Sequence, residues 1–122
     1  MRYKVVESRE WYNTETGQTA SIHGAHPHAG IGDDNWVVRS KGWTIADTES
    51  GTVGFGRPPM QSRDEAETLA MVWELDRERR RGAHAFSVNP DAKFARAIEP
   101  SHPACVTAFW DGWNTEFEAS RA

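Results

Sequence analysis

At 122 residues the chain has the length of a single domain, enough to bury one modest core without metal or disulfide support. Its net charge of −4 and isoelectric point near 5.7 speak against a dedicated nucleic-acid coat, which would be basic. A lone cysteine, Cys105, excludes an internal disulfide and fits a reducing compartment. The start, MRYKVVESREW, has no apolar signal-like region, and no apolar run approaches a membrane span, so the expectation is a soluble, cytoplasmic protein. Hydrophobic content is 38% and mean hydropathy −0.71, but six Trp and five Phe offset this with large buried areas.

Residues 2–12 alternate loosely and carry Tyr3, Val5, Val6, Trp11 and Tyr12, which suit a half-buried strand. A turn sequence follows, Asn13-Thr14-Glu15-Thr16-Gly17, and it recurs as Asp47-Thr48-Glu49-Ser50-Gly51. Asn or Asp at the first position accepts hydrogen bonds from the turn backbone, and Gly at the fifth takes a positive φ. Each turn therefore predicts a hairpin, and turn chemistry explains the repeat without an internal duplication. Between the hairpins, His23 to Asn35 is polar and glycine-rich and reads as a loop. Strand character returns at Trp36-Val37-Val38-Arg39 and again at Trp43 to Ala46, with Val53 and Phe55 on the return.

Gly56-Arg57-Pro58-Pro59 ends the sheet, because two prolines cannot donate to a ladder. Ser62-Arg63-Asp64-Glu65 is a capping box that opens a helix over 63–81. Ala66, Leu69, Ala70 and Trp73 give this helix an apolar face expected to meet the sheet. Gly82 is read as its stop, and Arg77, Arg79, Arg80 and Arg81 then complement the dipole in its last turn. Phe86 and Val88 suggest a short edge strand, and Asp91 to Ile98 about two helical turns. From Ala104 to Ser120, Val106, Phe109, Trp110, Trp113 and Phe117 form a helical apolar stripe assigned to the core.

The sharpest cluster of possible ligands is His23, His26 and His28 with Asp33 and Asp34. Imidazole and carboxylate together suit a transition metal, His26 and His28 first, although the spacing matches no structural zinc pattern and a solvated loop explains it better. Gly51 to Gly56 lacks the Lys-Ser/Thr and strand-loop-helix setting of a phosphate loop, so its glycines are assigned to the hairpin. Cys105 has His102 as the nearest base in sequence, and a half-buried structural thiol is the expected role. No nucleophile elbow, His-Glu helix pair or carboxylate dyad is evident, so catalysis and a cofactor have no positive support.

Two stretches resemble known families. Residues 36–81, with Trp-Val-Val-Arg, a hairpin and Gln-Ser-Arg-Asp-Glu-Ala-Glu, resemble the arm-type modules of phage-type tyrosine recombinases. That resemblance implies a small sheet-plus-helix fold that sets its sheet in DNA. Met60 and Ser62 replace that family's aromatic and Thr, and no recombinase catalytic domain follows. The end of the chain, Asn89-Pro90 and then Ala108-Phe109-Trp110-Asp111-Gly112-Trp113, is similar to ribosome-modulation-factor-like small proteins of bacteria and phages.

The expectation is thus one α+β domain over 1–122, with two antiparallel hairpins making four or five strands. The long helix covers the sheet and the aromatic C-terminal helix packs beside it. The leading functional reading is a non-enzymatic module that binds another protein, such as a phage- or mobile-element-encoded modulator of a host defence complex. Its candidate contacts are Trp11, Tyr12, Arg57, Arg77, Arg79, Arg80 and Arg81, since Trp and Arg dominate many interfaces. Alternatives are a nucleic-acid module using the 36–57 sheet, aided by Arg39 and Lys41, and a metal-dependent enzyme centred on the His23–Asp34 loop.

Overall fold

A computed structural model describes residues 1–22 and 35–122. Those residues form β1 (Tyr3–Asn13), β2 (Thr19–Ser21), β3 (Trp36–Asp47), α1 (Arg63–Val88), α2 (Ala92–Ala97) and α3 (Pro103–Ser120). The class is α+β, with an antiparallel sheet in the order β2-β1-β3. The chain divides into a sheet unit, 4–67, and a helical unit, 1–3 with 68–122.

In the sheet unit the two predicted turns match bond for bond. Asn13 Oδ1 accepts the Glu15 and Thr16 amides at 2.9 and 3.0 Å, and Asp47 Oδ1 accepts those of Glu49 and Ser50 at 2.9 and 3.2 Å. Gly17 and Gly51 follow at φ 75° and 76°, each donating to the carbonyl of the turn's first residue at 2.9 Å. Asn13 and Asp47 are both buried, and these bonds satisfy side-chain oxygens that burial would otherwise leave bare.

The first turn closes a β1–β2 hairpin, with Trp11 opposite Ala20. After the second turn, Val53 makes an isolated bridge with Ala46 instead of starting a strand. Gly54, Phe55 and Gly56 all have positive φ, at 81°, 52° and 70°, which no extended strand tolerates. The chain then rejoins at Met60, whose N–H and carbonyl each bond Trp43 at 2.7 Å. The expected four or five strands are therefore three among the described residues.

The predicted cap of α1 is present: Ser62 Oγ accepts the Glu65 amide at 3.3 Å. The predicted end is not. α1 passes through Gly82 to Val88, so the expected edge strand at Phe86 and Val88 is helix. The reason lies in α3. A Cβ on Gly82 would overlap the Phe109 carbonyl and lie 3.1 Å from the Trp113 nitrogen. A Cβ on Gly112 would overlap the Arg79 carbonyl and lie 3.1 Å from the Ala83 nitrogen. The two glycines let α1 and α3 cross backbone to backbone.

Around this crossing Ala85, Ala95, Phe109 and Trp113 form a core, with Phe86, Phe94, Trp110 and Phe117 packed against it. Trp113 stacks on Phe117 and meets Phe86 edge-on, each with centroids 5.3 Å apart. The C-terminal aromatic stripe is therefore chiefly core. α2 falls inside the predicted turns, capped by Asp91 Oδ1 accepting the Lys93 amide at 2.9 Å. No helix among the described residues is long and apolar enough to cross a membrane.

Gly→Ala inside a helix ordinarily stabilises by about 0.5–1 kcal/mol. Here Gly82→Ala and Gly112→Ala are each expected to destabilise by about 2 kcal/mol or more, because the added methyl meets rigid backbone. Urea denaturation gives the sign directly. Trp113 Nε1 is buried without a hydrogen-bond partner. Trp113→Phe, which removes that group, is therefore expected to cost less than about 1 kcal/mol. Trp113→Ala should cost about 3–5 kcal/mol in the same denaturation assay.

Candidate functional site

Continuing α1 past Gly82 changes the setting of the arginines. They sit in the middle of a 26-residue helix, and its last turn holds no basic residue. Dipole complementation, the reading based on a helix ending at Gly82, does not explain them. Positions 77, 80, 81, 84, 85 and 88 share one helical stripe. Arg77, Arg80, Arg81 and His84 from that stripe, with Arg2, rim a cavity of about 750 Å³ in the helical unit. Ala85 and Val88 of α1, with Phe94 and Ile98 at α2, supply its apolar wall. Among the described residues no carboxylate lines it.

The arginines are held differently. Arg77 Nη1 donates to Glu78 Oε1 at 2.9 Å, and Arg81 Nη1 donates to Glu78 Oε2. Glu78 is buried, so this fork secures a carboxylate that would be costly to leave unpaired. Arg81 Nη2 also donates to the Ile98 carbonyl at 2.8 Å, and its guanidinium lies 5.5 Å from the Phe109 ring centroid. Arg81 thereby ties the end of α2 to α1. Arg80 pairs with Asp76 at 2.9 Å, but its side chain is 73% exposed, and a surface pair of this kind holds little. Arg79 lies off the stripe, and its carbonyl faces Gly112.

The other candidates lie in the sheet unit. Trp11 and Tyr12 are half-buried on β1, and Arg57 is exposed beyond the Gly54–Gly56 bend. Arg39 Nε donates to Glu10 at 2.9 Å, and its guanidinium carbon stands 3.9 Å from the Tyr12 ring centroid. Lys41 is 4.0 Å from the same carboxylate. The cations invoked for a nucleic-acid-binding sheet are thus partly neutralised by Glu10. His23, His26, His28, Asp33 and Asp34 lie outside the described residues. Among the described residues no group of three or more His, Cys, Asp and Glu is placed to hold a metal ion.

Beside the groove is a smaller cavity of about 390 Å³, lined in part by Glu74, Glu78, His102 and Cys105. Glu74 accepts the Tyr3 amide. His102 caps α3, its Nδ1 accepting the Ala104 amide at 3.2 Å. Cys105 is buried, and burial pushes its thiol pKa up, with Glu74 and Glu78 adding to the rise. A thiolate stabilised at a helix start is therefore not what this position provides.

Arg2, His84, Val88, Phe94, Ile98 and Glu78 are the site residues that sequence reasoning missed. The stripe 77-80-81-84-85-88 was the available signal, and it emerges once the helix is continued through Gly82.

Three outcomes are expected. Alkylation of Cys105 should be far slower in the native protein than in urea. Because the folded thiol holds its proton longer than the unfolded one, stability is retained below the ordinary thiol value of 9.0 and falls as pH rises above it. Cys105→Ala should remove that decline in pH-dependent denaturation. Glu78→Ala should cost roughly 2–3 kcal/mol, whereas Asp76→Ala should cost less than about 0.5 kcal/mol in thermal denaturation.

No family model matches the chain, and no curated protein or solved structure matches it at a significant level.

Proposed function

We propose that the chain is a non-enzymatic accessory module that binds another protein, and that the arginine-rimmed groove of the helical unit receives an acidic surface of that partner. The supporting observation is the groove itself, about 750 Å³ with four arginines and His84 around an apolar wall. Arginine combines charge, forked hydrogen bonding and a weakly hydrated face, so a cluster beside apolar surface favours carboxylate-bearing partners. The net charge of −4 repels an acidic partner overall, so the arginine patch is the face to which such a partner would be oriented. A modulator of a host complex, of the kind carried by phages and mobile elements, is the setting that accords with the two sequence resemblances.

The test is a tagged pull-down from the source cell with the wild-type chain, Arg80→Glu and Val88→Glu. Both positions are exposed, so the variants should keep the wild-type melting temperature. A partner with an acidic surface should be retained by the wild type and lost from both variants. Equal recovery on all three chains would contradict the proposal.

A further inference from the structure

The groove is small relative to a docking face between folded proteins, and its lining combines four arginines and His84 with Ala85, Val88, Phe94 and Ile98. A cavity of about 750 Å³ is the size that a compact ligand or a few side chains fill. Interfaces between folded surfaces, in contrast, each bring roughly 20–30 residues into contact. Val88, Phe94 and Ile98 form the apolar side, and Val88 and Ile98 remain 59% and 40% exposed. Arg80 extends from the same stripe of α1, and among the described residues its tether is the surface pair with Asp76. Arg77 and Arg81 are oriented by the buried Glu78, and Arg81 also fixes the Ile98 backbone. The wall and the bracketed arginines are therefore set in advance, while Arg80 retains the freedom to change partners.

Resting on the protein-binding reading above, we infer that the occupant is a short acidic linear segment of the partner, not a folded acidic face. One apolar side chain of the segment enters between Val88, Phe94 and Ile98. An adjacent carboxylate displaces Asp76 from Arg80. A sugar–phosphate backbone would satisfy the arginines but leave the apolar wall uncovered, which favours the peptide over nucleic acid.

The test measures fluorescence anisotropy of labelled synthetic peptides with the full chain. The probe is a short Asp/Glu peptide with a central leucine; controls replace the leucine by serine, or the acidic residues by lysine, and a thymidine oligonucleotide serves as a phosphate-bearing probe. The leucine peptide should bind, and leucine-to-serine should weaken it roughly tenfold. Arg80→Glu should weaken it by roughly tenfold or more, Asp76→Ala should strengthen it, and added salt should weaken it. The lysine peptide should not bind. Equal binding of the serine and leucine peptides, tighter binding of the oligonucleotide, or no peptide binding at all would overturn the inference. If peptides fail while the pull-down partner is still lost from Arg80→Glu, the linear segment is wrong and the docking surface stands. If Arg80→Glu leaves the partner bound, both readings fall.

Discussion

The helical unit depends on one contact, the crossing of α1 and α3 at Gly82 and Gly112. Each glycine faces a backbone carbonyl of the other helix, so neither position has room for a Cβ. The approach brings Phe109 and Trp113 against Ala85 and Phe86, and that packing outweighs the intrinsic cost of glycine within a helix. It also extends α1 beyond Gly82 to Val88. Without that extension His84, Ala85 and Val88 would not continue the stripe begun by Arg77, and the arginines would have no apolar wall beside them.

The electrostatics of the groove follow from the same helix. Glu74 and Glu78 are one turn apart and both buried, an arrangement stable only if each carboxylate is bonded. Tyr3 donates its amide to Glu74, and Arg77 with Arg81 fork onto Glu78. A buried carboxylate thus becomes a bracket for two guanidiniums, and the cost of burying it is offset by order imposed on the rim. Arg80, one residue before Arg81 but directed to a surface carboxylate, escapes that order. A run of like residues in the sequence has become a set with separate duties: Arg79 beside the crossing, Arg77 and Arg81 braced, Arg80 exposed.

Local chemistry was legible in the sequence. The Asx turns at Asn13 and Asp47, the Ser62 cap and the aromatic stripe of α3 each rest on bonds or spacings within a few residues. The errors arose where a residue's meaning is set from afar. A glycine that ends a helix and one that admits a neighbouring backbone look alike until the partner is known, and for Gly82 that partner is Gly112. The second turn, whose return holds one bridge and no strand, is a subtler case. Val53 and Phe55 alternate as a strand should, but the left-handed run from Gly54 to Gly56 turns the chain away after one bridge. Of the candidate site, the arginines were visible and their apolar companions on α2 were not, because the Arg81–Ile98 bond joins segments 17 residues apart.

α1 runs unbroken through Gly82, and the core of the helical unit and the groove are both built on that continuity. Backbone chemical shifts and amide hydrogen exchange of residues 78–90, measured by NMR on the free protein, test it directly. Helical shifts through Val88 and strong protection at Gly82, Ala83 and Ala85 are expected. Loss of helical shifts after Arg81, with fast exchange from Gly82 onward, would contradict it.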